Sequence, residues 1–145
     1  MVARVNYWAM WGLLVAIVPP VQAQEPAAAT PSLTVELNAL QPSETGCRVT
    51  FLATNGLGAP LDKAALEVAL FNQAGSIDRL VTLDFKTLAE GKTKVLQFDL
   101  AKTQCDGIGR VLVNDVAACE GQGVDKAACS AGLKTSNKTD IAFGL

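Results

Sequence analysis

From Leu33 onward, apolar positions recur at every second residue. Leu33, Val35, Leu37 and Ala39 alternate with Thr34, Glu36 and Asn38, which predicts a half-buried strand. Gln41 to Gly46 is turn chemistry, and Cys47 to Thr54 alternates again with Val49, Phe51 and Ala53 on one face. Asn55 to Pro60 reads as a loop, with Gly56 and Gly58 available for positive φ. The next stretch, Asp62 to Asn72, supports two readings. Its alanines and leucines favour a helix that Asp62 would cap at Lys63. Yet Leu66, Val68 and Leu70 alternate with Glu67, Ala69 and Phe71, and Asn72 to Ser76 has the composition of a hairpin connection to Ile77. A strand over Leu66 to Asn72 is the reading adopted.

Asp78 to Phe85 then pairs with it, placing Val81, Leu83 and Phe85 together. Lys86 to Lys92 is a connection in which Leu88 plugs the sandwich edge and Gly91 turns the chain. Thr93 to Leu100 is the clearest strand, with Leu96, Phe98 and Leu100 inward. Ile108 to Val116 is β-branched with apolar residues on both faces, as in a central strand. Asp125 to Gly132 fits a short helix capped by Asp125 and ended by Gly132. Thr139 to Leu145 fits a last strand. About seven short strands with loops every 8 to 12 residues predict an all-β, immunoglobulin-like antiparallel β-sandwich. The expected core holds Val35, Leu37, Phe51, Leu66, Val68, Leu83, Leu96, Phe98, Val111 and Val113.

The N-terminal segment has a different pattern. Arg4 supplies a short positive region, and Tyr7 to Val18 is an uncharged, mostly apolar run of twelve. Pro19 and Pro20 break it, too early for a spanning helix of about 20 residues. Val21, Gln22 and Ala23 precede Gln24 in the manner of a signal-peptidase site. The expected organisation is therefore a signal peptide over residues 1–23, cleaved between Ala23 and Gln24. A flexible Pro/Ala-rich leader over 24–32 and one β-sandwich domain over 33–145 follow. The expected compartment is the periplasm or the cell exterior.

Charge and composition narrow the chemistry. The mature part carries 11 basic and 14 acidic residues, a net charge of −3 that argues against nucleic acid as a partner. There is no histidine, which removes Ser-His-Asp and Cys-His catalysis and histidine metal ligation. No catalytic constellation, metal site or cofactor is expected. Four cysteines, Cys47, Cys105, Cys119 and Cys129, predict two disulfides in an exported chain. Three connectivities are open. Cys47–Cys105 and Cys119–Cys129 are favoured, because the second pair spans only a glycine-containing turn and the first joins a strand start to the loop before another strand. Their loops are worth about 4 and about 3 kcal/mol on the chain-entropy argument. A four-cysteine zinc site is the competing reading, but spacings of 58, 14 and 10 contain no C-x-x-C pair.

Other features have ordinary explanations. Scattered aspartates form no calcium loop. Arg79, Lys92 and Lys94 make a basic strip that suits edge protection. Asn137-Lys-Thr139 matches a glycosylation sequon. Two segments are candidate partner contacts: the loop residues Asn55, Gly56, Leu57 and Gly58, and the terminal residues Ile141, Phe143 and Leu145. The terminal strand suits capture by strand addition. Its alternation also suits closing the domain's own sheet, and that is the reading preferred.

Several runs carry a resemblance. They are Asn38-Ala-Leu-x-Pro42, Gly46-Cys-Arg-Val-Thr-Phe51, Asn55-x-Leu-Gly58, Arg79-Leu80, Leu83-Asp-Phe85, Gly91-Lys-Thr93, Phe98-Asp-Leu100 and Ile108-Gly-Arg-Val-Leu-Val-Asn-Asp115. Through them, over most of Leu33 to Leu145, the chain resembles an uncharacterised family of exported (Sec/Tat-signal) alphaproteobacterial cell-envelope proteins. The leader lacks the paired arginines of the twin-arginine members, so Sec export is expected. The resemblance brings no catalytic residues. It implies a cell-envelope role beside proton-channel components of the ExbB/TolQ type.

The leading expectation is a non-catalytic periplasmic binding or structural module that recognises envelope proteins by a sheet face or edge. An inhibitor or chaperone-like partner of a secreted protein is the alternative. A carboxylate-based hydrolase is a distant second alternative, since it needs two acids about 5–10 Å apart in a cleft. Mass spectrometry of the expressed protein should find a chain beginning at Gln24 with no titratable thiol. A full-length, 145-residue cytosolic form with four free thiols overturns the export reading.

Overall fold

The computed structural model describes residues 28–145. The expected signal peptide, its cleavage point at Ala23 and Gln24, and the first part of the leader lie outside the described residues. Eight strands follow: β1 (Ser32–Pro42), β2 (Gly46–Gly56), β3 (Leu61–Asn72), β4 (Ile77–Leu88), β5 (Thr93–Ala101), β6 (Ile108–Gly121), β7 (Leu133–Asn137) and β8 (Ala142–Gly144). A 3-10 turn at Cys105–Gly107 precedes β6, and helix α1 (Lys126–Gly132) joins β6 to β7. Among the described residues no helix is long and apolar enough to cross a membrane.

The strands form two four-stranded sheets, ordered β5-β2-β1-β7 and β4-β3-β6-β8. Antiparallel β5-β2-β1 facing β4-β3-β6 is the strand distribution of an immunoglobulin-like sandwich. Each sheet is then extended by a short parallel strand, β7 beside β1 and β8 beside β6. The inward faces make one core, in which Val35, Leu37, Phe51, Leu66, Val68, Leu83, Val111 and Val113 are buried and Leu96 and Phe98 pack at its margin. Phe51 and Phe98 from one sheet meet Phe85 and Phe143 from the other, with edge-to-face centroid distances of 5.6–6.2 Å.

The ambiguous stretch is strand throughout, beginning at Leu61 rather than Leu66. Its alanines have helical propensity, but β3 pairs on both sides, with β4 and with β6, so most of its backbone finds partners in the sheet. Leu88 is buried, and Gly91, at φ 68°, makes the turn into β5 in a region open to glycine without strain.

The C-terminal third departs from expectation. One strand was expected over Thr139 to Leu145. It is present as the shorter β8, and an unexpected strand, β7, precedes it, so eight strands stand where about seven were expected. Helix α1 has the expected N-cap, Asp125 accepting from the Ala128 amide at 2.9 Å. It does not end on a left-handed glycine. Leu133 follows at φ −67°, and a Cβ on Gly132 would lie 3.0 Å from Leu57 Cδ2 and 3.1 Å from the Pro31 carbonyl. Glycine is needed there for close approach.

Both favoured disulfides are present, Cys47–Cys105 and Cys119–Cys129. The first ties the start of β2 to the turn before β6, linking the two sheets. The second pins α1 to the end of β6. In urea denaturation, Cys119→Ala/Cys129→Ala should lose about 3 kcal/mol and Cys47→Ala/Cys105→Ala about 4 kcal/mol. Unchanged midpoints in both double variants would refute this role.

Candidate functional site

The crossover Asn55 to Pro60 was expected to present a binding loop, and its first residue does something else. Asn55 is fully buried. Its Nδ2 donates to the carbonyls of Ala59 at 2.8 Å and Leu88 at 3.0 Å, and its Oδ1 accepts from the Leu57 amide at 3.1 Å. Its backbone bonds both Gly91 and Lys92. Asn55 therefore joins the β2–β3 crossover to the β4–β5 turn. Gly56 and Gly58 are exposed, while Leu57 is half-buried and packs towards Gly132.

The terminal segment serves the fold. Ile141 and Phe143 pack against the core, with Phe143 5.6 Å from Phe51, and Leu145 alone points into solvent at 64% exposure. The closing-strand reading describes this arrangement.

The basic strip stitches edges. Lys94 Nζ, on β5, donates to the β4 carbonyls of Phe85 at 3.2 Å and Thr87 at 3.0 Å. Arg79 Nη1, on β4, donates to the β5 carbonyl of Ala101 at 3.1 Å. The free edges of the two sheets on this side are thus tied to each other, which obstructs lateral addition of a foreign strand.

A cavity of about 550 Å³ lies at the β1–β2 hairpin and is lined by Pro42, Ser43, Glu44, Thr45, Arg48 and Asp99. It brings Glu44 and Asp99 to one concave surface. Arg48 binds Asp99 through two bonds of 2.8 and 3.0 Å, and this pairing holds the Asp99 carboxyl below the usual carboxylate range. A general acid needs its carboxyl raised. Asp84 and Asp115 are likewise lowered, by hydrogen bonds from Lys86 and Lys126. Among the described residues no three His, Cys, Asp or Glu side chains converge as a metal site.

The outer face of the β4-β3-β6 sheet is different in kind. In register across it, Leu80 stands opposite Ala69, and Ala69 opposite Leu112. Val68 and Leu70, the neighbours of Ala69 on β3, point into the core, so this row points away from it. The adjacent row is Ile77, Phe71 and Arg110, with the Arg110 guanidinium 5.7 Å from the Phe71 ring centre. On the other side lies Glu67, which accepts from Asn114 Nδ2 at 2.6 Å. Leu80 is 50% and Ile77 57% exposed. Ala69 is buried between its larger neighbours. The result is a contiguous apolar strip across three strands, of the kind that marks interaction sites.

Sequence reasoning missed this strip, although its signal was present. Alternation that turns Val81 and Leu83 inward turns Leu80 outward, and the two-sided apolar character of β6 places Leu112 outside. Reading β6 as merely central concealed that, among the described residues, no layer covers its outer face.

The fold and these surfaces define a disulfide-bonded, all-β, immunoglobulin-like sandwich domain. No family model, curated protein or solved structure matches the chain.

Asn55→Ala should cost about 2–3 kcal/mol in chemical denaturation, because it strands the buried Leu88 carbonyl and the Leu57 amide. Asn55→Asp should be no better at neutral pH, since it turns an oxygen towards two carbonyls. A neutral result for both variants would remove the crossover lock.

Proposed function

We propose that the chain is an exported, non-catalytic periplasmic binding or structural module of the cell envelope, acting by protein–protein recognition through the outer face of β4-β3-β6. The observation that carries this reading is the outward apolar strip in which Ile77 and Leu80 are exposed and Phe71 and Leu112 half-buried. A sheet face in water is ordinarily polar, and the middle of this one is not. The stitching by Lys94 and Arg79 supports recognition by a face over recognition by the β4 or β5 edge.

Export is supported by the leader pattern and by two disulfides, which persist in oxidising compartments. The resemblance to exported envelope proteins supports a place near a proton-channel complex of the ExbB/TolQ type. The inhibitor or chaperone reading gains nothing from the terminal strand, whose side chains are engaged in the core.

A photoreactive residue at position 80 or 112 should yield protein adducts in intact cells, while one at Thr54, on the outer face of the opposite sheet, should not. Leu80→Glu should suppress the adduct formed from position 112. Equal labelling from both faces, or none from either, defeats the proposal.

A further inference from the structure

We propose that the occupant of this face is a second copy of the same chain, docked across a twofold axis near Ala69. The inference rests on the reading of β4-β3-β6 as a recognition face. It follows from how charge is arranged around the apolar strip. The Leu80–Ala69–Leu112 row lies at the middle. One flank carries Arg110, exposed and laid over Phe71. The other carries Glu67, held by Asn114.

Neither Arg110 nor Glu67 has an ion-pair partner among the described residues. The other carboxylates beside this face, Asp84 and Asp115, are already neutralised by Lys86 and Lys126. Arg110 and Glu67 cannot satisfy one another within a protomer. Their rows are separated by the four residues from Phe71 to Glu67, about 13 Å along the strand.

A twofold axis through the middle row exchanges the two flanks. It lays the apolar strip of one protomer on that of the other and brings each Arg110 to the partner's acidic flank. The pattern is self-complementary, as an isologous interface requires. Sheet faces pack about 10 Å apart with their side chains interdigitated, a separation that Leu80 and Leu112 are long enough to fill and a guanidinium is long enough to cross. Ala69 between them leaves room for the partner's leucines. An unrelated partner would need only the apolar strip. Two unpaired charges of opposite sign at matching distances on either side of it are what a copy of the same surface supplies.

The test is sedimentation equilibrium of the oxidised, processed chain at several salt concentrations. A monomer–dimer equilibrium that weakens with salt is expected. Arg110→Glu and Glu67→Arg should each weaken the dimer at least about tenfold, because each sets like charges against one another. The Arg110→Glu/Glu67→Arg double variant should restore it. Leu80→Glu should abolish dimerisation while leaving the circular dichroism spectrum unchanged.

A strictly monomeric wild-type chain, or a double variant no better than the single ones, overturns the proposal. In that event, an adduct from position 80 to a different envelope protein leaves the recognition face standing with another occupant. Absence of any adduct removes both readings.

Discussion

Phe51 touches Phe98 of its own sheet and Phe85 and Phe143 of the facing one, all edge to face. Each such contact contributes roughly 0.5–1.5 kcal/mol beyond burial and prescribes an orientation as well as a distance. The cluster draws on β2, β4, β5 and β8, so it cannot form until both sheets are assembled and the last strand has come home. The remainder of the core, the crossovers and the placement of the terminal strand are organised around that meeting. This is why Phe143, in a strand of only three residues, is integral to the domain.

Closing the sandwich in this way decides what is left outside. The inward faces are consumed by the core. Along one side, Lys94 and Arg79 spend their donors on the backbone carbonyls of β4 and β5 and blunt both edges. The Cys119–Cys129 link holds α1 against the end of β6 on the other side. The widest surfaces left accessible are the two outer faces. The β5-β2-β1 face carries threonines, Gln97 and an Arg48–Asp99 pair, with an exposed Val95 opposite Leu52. The β4-β3-β6 face carries leucine and isoleucine. An apolar row that spans three strands of one face, against a two-strand pair on the other, is the physical basis for assigning recognition to one of them.

The candidate surface is partly legible in the sequence. Period-two alternation assigns Leu80 and Leu112 to the faces opposite Val81 and Val113, and their apolar character stands in the sequence. What alternation lacks is the identity of the neighbour. An outward leucine on one strand is unremarkable until the strands beside it bring Ala69 and a second leucine into the same row, and register between distant segments sets that row. Asn55 shows the converse. Its glycine-flanked context reads as an accessible loop, and only assembly shows its amide enclosed by the Leu88 and Ala59 carbonyls.

The sequence by itself determined the all-β class and most of the inward-facing core, and it favoured, among three connectivities, the cysteine pairing that the structure shows. Alternation and loop spacing are local properties that survive without knowledge of the rest. It also specified the Asp125 cap, which involves residues three apart. The tertiary structure alone decided the extent of β3, where pairing on both sides overrode helical propensity. It alone decided the added strand β7, the parallel pairing of β7 and β8 at the sheet edges, and the burial of Asn55. Each of these depends on contacts between segments far apart in the chain, where backbone hydrogen bonds and close packing outweigh local preference.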